Sequence, residues 1–203
     1  AVLSGSRKVL NWCDDKGNVD FYDMKGIVEG LLEAMQVSDY TMTRSQQPYL
    51  HPGKSCDIVV NGEVIGSFGE VHPVVQENFE LDQVTYVLEM AVEPLVASAT
   101  AVPQYKHLPK FPSMSRDIAV VVPAEVTNAE LEQVIRAHAG ELLQGVRVFD
   151  IYTGKQVAAG CKSMAFNLTY QAADRTLTDA EVDASMKKVI AEVAEAYKAK
   201  LRD

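Results

Sequence analysis

Three runs of the chain alternate residue types in a way that suits surface chemistry. Asp117, Ala119 and Val121 interleave with Ile118, Val120 and Val122 in RDIAVVV. Asp150 and Tyr152 interleave with Phe149 and Ile151 in VRVFDIY. Ser163, Ala165, Asn167 and Thr169 interleave with Met164, Phe166, Leu168 and Tyr170 in KSMAFNLTYQ. Successive strand side chains point to opposite faces, so each run separates into an apolar set and a small or polar set. The apolar sets, Phe149 and Ile151 included, are assigned to the core. What remains is a sheet face of small and polar groups around one ring, Tyr152, with Arg116, Lys155, Lys162, Arg175 and Arg202 as basic neighbours. An aromatic ring among small side chains gives an unpaired nucleic-acid base a surface to stack on, and cations track its phosphate backbone. The same pattern fits a plain solvated sheet face, and the residues alone leave both readings open.

The elements that must hold these runs are legible. Thr127-x-x-Glu130 and Thr178-x-x-Glu181 are capping boxes. The first opens a helix with Leu131, Val134, Ile135 and Leu142 on one side; the second opens one with Val182, Met186, Val189, Ile190, Val193 and Tyr197 in line. The terminal KLRD supplies a short last strand. The order βαββαβ is two split βαβ units, a ferredoxin-like arrangement that covers one sheet face with helices and leaves the other open. Upstream, Asp20 caps a helix with Met24, Ile27, Val28, Leu31, Leu32 and Met35 in a stripe. Asn61-Gly62 joins two strands as a hairpin. HPVVQENFEL is a short helix with Pro73 in its first turn. VTYVLEMAV alternates as one strand from Val84 to Val92. This first part is an α+β unit with an antiparallel sheet.

Between them, ASATAVPQYKHLPKFP carries proline and small residues that hold neither a helix nor a central strand. It is read as the linker between a domain over residues 1–102 and a second over 103–203. The 203 residues, 47% apolar and 23% charged, suit a soluble globular protein of one large or two ordinary domains. The absent initiator Met makes the chain read as a piece of a longer one. The formal charge of −9 argues against a nucleic-acid partner until it is divided. Residues 1–102 carry 6 basic and 15 acidic side chains, whereas residues 103–203 carry 13 of each. The second half is thus free to present a local basic rim. Cys13, Cys56 and Cys161 are sparse, odd in number and without CxxC spacing, which fits a reducing cytoplasm and neither a disulfide framework nor a cysteine zinc site.

Longer motifs carry a resemblance. FPSMSRDIAVVV, VRVFDIYTGKQVAAGCKSMAFNLTYQ, DRTLTDAEV and KLR resemble the ferredoxin-fold anticodon-binding domain that closes the bacterial phenylalanyl-tRNA synthetase β subunit. LSGSRKVLNW, VDFYDMKGIVEGLLEAM, HPGKSCDIVVNGEVIGSFGEVHP and YVLEMAVEPL resemble the catalytic-like module of the same family, which has a class II synthetase-like antiparallel sheet without the chemistry. The resemblance implies a cytoplasmic subunit that binds the anticodon stem-loop of phenylalanine tRNA and assembles with an α subunit as an (αβ)2 heterotetramer. It implies that ATP and magnesium are used on the α subunit, with no cofactor in this part of the β subunit. It places Ala119, Asp150, Tyr152, Ser163 and Arg202 at the family's anticodon-contacting positions. Four of these are open-face positions by strand parity; Arg202 comes from the resemblance alone. Arg116 is added as a cation beside that face.

The residues agree about catalysis. A class II site uses an Arg-x-Glu strand and a second arginine for ATP, and the first half offers only Arg7 and Arg44, neither in that setting. His51 and His72 each precede proline and are read as turn residues, Glu70 as a carboxylate at a helix start, Asp174-Arg175 as a surface turn pair, and Cys161 as an ordinary loop cysteine. Asp14, Asp15, Asp20 and Asp23 form a solvated acidic face or a subunit contact. The rival from another class is a stand-alone ferredoxin-like regulatory or protein-interaction module, since fold does not fix function.

Overall fold

The computed structural model describes residues 1–8, 12, 17–100, 102, 105, 108–154 and 156–201. The chain divides into two compact units, Ala1–Tyr105 and Lys106–Asp203, each built on its own antiparallel sheet.

In the first unit, Asp20 accepts from the N–H groups of Tyr22 and Asp23 at 2.8 and 3.1 Å and opens α1 (Phe21–Ala34). Asp23 accepts in return from the Asp20 N–H at 2.7 Å. That bond, seconded by Arg7 at 3.0 Å, holds the Asp23 carboxyl below its ordinary range. Met24, Val28 and Leu32 are fully buried against the sheet, but Ile27 and Leu31 from the same periodic stripe remain 45% and 36% exposed. The buried stripe, narrower than the apolar pattern, is the part of α1 that packs on the first unit's own sheet. The strands are β1 (Val2–Ser4), β2 (Tyr40–Arg44), β3 (Leu50–Val60), β4 (Glu63–Val71) and β5 (Thr85–Met90), in spatial order β1-β5-β4-β3-β2. Asn61 and Gly62, with φ of +52° and +82°, make the β3–β4 turn. His72 caps α2 (Pro73–Asn78), its Nδ1 accepting from the Val74 N–H at 3.2 Å. Val92, expected at a strand end, instead starts α3 (Val92–Ser98), which buries Leu95.

The second unit runs β6 (Met114–Pro123), α4 (Asn128–Ala139), β7 (Leu143–Tyr152), β8 (Cys161–Tyr170), α5 (Asp179–Tyr197) and β9 (Lys200–Leu201), with sheet order β7-β8-β6-β9. Both capping boxes form. Thr127 Oγ1 accepts from the Glu130 N–H at 3.2 Å and Glu130 accepts from the Thr127 N–H at 2.7 Å. Glu181 accepts from both the N–H and the hydroxyl of Thr178, at 3.0 and 2.8 Å. Gly140, at φ +81°, closes α4; Leu142 lies past that end, partly buried against the core. Both helices cover the same side of the sheet. Ile118, Val120 and Val122 of β6 and Met164, Phe166, Leu168 and Tyr170 of β8 are buried there with Leu131, Ile135, Val189 and Val193. Full burial of one such large side chain contributes about 1.5–3 kcal/mol.

Candidate nucleic-acid interface

With the helices on one side, the register fixes what the other side of the second sheet carries. Asp117 of β6, Asn167 of β8 and Arg147 of β7 form one row. Ala119, Ala165 and Asp150 form the next, and Val121, Ser163 and Tyr152 the one after. Ala119, Asp150, Tyr152 and Ser163, the four positions expected from parity, therefore occupy two adjacent rows. Asp150 is exposed, Tyr152 and Ala119 are half-buried, and Ser163 between its row partners is only 3% exposed. Asn167 Nδ2 donates to Asp117 Oδ1 at 2.6 Å, so that part of the face is tied across two strands.

The route by which β7 reaches this arrangement differs from the sequence expectation. Val148 opposes Phe166 and Asp150 opposes Ala165, so Phe149 is an extra residue in β7, a β-bulge. Val146 and Val148 pack on the core, whereas Phe149 and Ile151, expected there, are 52% and 54% exposed. One inserted residue shifts side-chain parity, so the two halves of β7 obey alternations out of phase by one. The signal was present in VRVFDIY, where Val146/Val148 and Phe149/Ile151 are both apolar pairs but in opposite phase. Arg147 was missed for the same reason. It is exposed and stands on the open face.

The basic rim is correspondingly redrawn. Arg116 opposes the buried Leu168 and so belongs to the helix side, not the open face. Its guanidinium pairs with Asp179, and its Nε lies 3.5 Å from Asp183, both in the first turns of α5. The Asp179 hydrogen bond, then the charges of the two carboxylates, push its pKa up. Arg175 donates to Glu181 at 2.6 Å. Acidic residues at the α5 N-terminus, favourable to the helix dipole, thus claim two cations expected near the open face. Lys162 lies at the start of β8 opposite Val122. Lys155 and Arg202 fall outside the described residues, as do Asp14 and Asp15.

In the first unit the polar chemistry is internal. Glu70 sits in β4 rather than at a helix start, 6% exposed, because β4 continues through Val71. It pairs with Lys54 Nζ at 2.6 Å and accepts from the Tyr86 hydroxyl at 3.2 Å. Burial, then the neighbouring Glu70 charge, pushes the Tyr86 phenol up to about 12. Asp20 and Asp23 cap α1 and hold Arg7. His51 and His72 each accept from a backbone N–H two residues on.

Residues 1–92 match the phenylalanyl tRNA synthetase beta chain CLM domain, and residues 109–202 match the ferredoxin-fold anticodon binding domain. The phenylalanine-tRNA ligase beta subunit of Symbiobacterium thermophilum is 42% identical over 99% of this chain, and that of Bacillus subtilis 42% identical over all of it. The chain belongs to the phenylalanyl-tRNA synthetase β chain family. It spans about a quarter of the length of these relatives, 22% and 25%. That of Clostridium acetobutylicum, 41% identical, aligns over 92% of this chain and 24% of its own length. Family membership accounts for the two different sheets in one chain, and the βαββαβ unit with its open face is the family's ferredoxin-fold domain.

Proposed function

We propose that the second unit binds the anticodon stem-loop of phenylalanine tRNA on its helix-free sheet face, as part of a phenylalanine-tRNA ligase β subunit. The carrying observation is the pair of rows that sets Tyr152 and Ser163 beside Asp150 and Ala119, in a domain of the anticodon-binding family. Tyr152 offers a ring for a base to stack on, the small Ala119, Ala165 and Ser163 leave space above the sheet, and the exposed Asp150 supplies a hydrogen-bonding group for a base edge. Arg147 on that face, and Arg202 beyond the described residues, supply charge toward phosphates. Arg116 is committed to α5 and is left out of the interface.

The first unit contributes to assembly with the α subunit in an (αβ)2 cytoplasmic enzyme. Aminoacylation with ATP and magnesium is assigned to that α subunit, as the family resemblance implies; in keeping with this, Arg7 of the first half is engaged by Asp20 and Asp23 and the first-half sequence has no Arg-x-Glu strand. The names of the relatives and the two domain matches support this reading.

The test is titration of the chain and of Tyr152→Ala against phenylalanine tRNA and an anticodon-swapped tRNA at two salt concentrations. Base-aromatic stacking is worth roughly 1–3 kcal/mol by alanine substitution, so Tyr152→Ala should lose about tenfold in affinity or more. Tyr152→Phe should keep most of it. Equal binding by Tyr152→Ala and the parent would return the face to plain solvated surface.

A further inference from the structure

Gly154 lies two residues beyond Tyr152, just after the end of β7. A methyl group placed on its Cα would fall inside contact distance of the Tyr152 Oη and Cζ, and 2.8 Å from Cε2. Real side-chain carbons do not approach that closely, so the ring occupies the space a side chain at 154 would need. The other glycines of this unit behave differently. A methyl at Gly140 or Gly160 would meet open space, and one at Gly145 would make only an ordinary contact with Thr169. Gly140 and Gly160 are glycines for their positive φ, a reason that does not apply to Gly154. A Cβ at position 154 fits only if the Tyr152 ring moves away from where it lies.

We propose that Gly154 is a positioning residue for the base-binding face: its bare backbone seats the Tyr152 ring in the orientation that receives a base. The inference rests on the stacking role given to Tyr152 above. A half-exposed tyrosine at a strand end has rotamer freedom that binding must remove. A ring already seated against the neighbouring backbone loses less on binding, which is preorganisation. A side chain at 154 pushes the ring off this seat without removing it.

The experiment compares five forms of the 203-residue chain against an anticodon stem-loop of phenylalanine tRNA at one salt concentration. They are the parent, Gly154→Ala, Tyr152→Ala, the double variant Tyr152→Ala/Gly154→Ala, and Tyr152→Phe/Gly154→Ala. Gly154→Ala should weaken binding severalfold, up to the roughly tenfold loss expected on deleting the ring. The Ala/Ala double variant should bind no worse than Tyr152→Ala, because the ring atoms nearest the added methyl are then absent. Tyr152→Phe in the Gly154→Ala background should regain part of the affinity, because the hydroxyl oxygen is among the atoms the methyl strikes. The thermal midpoint should barely move in any of these variants, since both residues lie at the solvent-facing end of the sheet. A merely structural role predicts a lowered midpoint and a loss that adds in full to that of Tyr152→Ala, and either result overturns the proposal. Parent-like binding by Gly154→Ala alongside a weakened Tyr152→Ala overturns it while sparing the stacking role. Parent-like binding by Tyr152→Ala removes both.

Discussion

The two sheets treat their polar groups in opposite ways. In the first unit, Lys54, Glu70 and Tyr86 satisfy one another, with the carboxylate 6% and the tyrosine 5% exposed. In the second, Tyr152, Asp150 and Arg147 stand on the sheet face away from α4 and α5. A buried polar group must find its partner inside the fold or cost stability. The same residue types, a tyrosine, a carboxylate and a cation, therefore close a buried network in one unit and stand at an open sheet surface in the other. The most shifted tyrosine, Tyr86, belongs to the fold's own network.

The largest effect that tests this contrast is removal of Glu70. Glu70→Leu leaves the Tyr86 hydroxyl buried without its acceptor, while Lys54, half exposed, returns to water. An orphaned buried group costs about 1–3 kcal/mol, so the first unit should unfold at lower denaturant concentration with tRNA affinity unchanged. A loss of tRNA binding in this variant would break the division of labour.

Next comes a pH dependence confined to the same network. The folded-state pKa of Tyr86, about 12, exceeds the ordinary 10.0, so the fold favours the neutral phenol. Its contribution to stability is complete below pH 10 and is lost as the pH rises through about 12. Unfolding measured across that window should show a steeper decline in the parent than in Tyr86→Phe. Identical slopes would place the phenol outside the network.

Smaller still is the effect of Arg147→Gln. It should weaken tRNA binding less than tenfold and reduce the salt slope by about one if the guanidinium meets a phosphate. An unchanged slope would remove Arg147 from the interface. The smallest is Arg116→Gln, which loses ion pairs to exposed carboxylates of α5 and a hydrogen bond to the Ser115 carbonyl. Such pairs are worth about 0–1 kcal/mol, and tRNA affinity should be the same as the parent's.

How much of this was legible follows from whether the signal was local. Capping boxes at Thr127 and Thr178, the Asn61-Gly62 turn and the clean alternation of β6 and β8 are each written within a few neighbouring residues, and each formed as read. Two adjacent rows of the open face followed directly from parity. The short β1 and β2 escaped notice because three and five residues carry too little pattern, and they exist through pairing with β5 and β3. The place of Glu70 was misread because its partners Lys54 and Tyr86 are each sixteen residues away in sequence. Arg116 looked like rim charge because nothing near it in sequence announces Asp179 and Asp183. The phase change in β7 hid Arg147 and set Phe149 off the core, whereas Ile151 keeps the expected side, opposite Met164, and is still 54% exposed.

That extra residue in β7 bears on how the molecule keeps to itself. β7 is an outer strand of its sheet, and an outer strand presents a row of backbone groups on which another chain can add. A flat strand bearing exposed Phe149 and Ile151 would invite such growth. The bulge breaks the regular spacing of those groups beside the two apolar side chains, so an incoming strand cannot stay in step along its length. At the opposite border, β9 covers β6 only at Val120 and Val121. The bulge therefore blunts the border of the sheet that carries exposed apolar side chains, and growth by strand addition is disfavoured there.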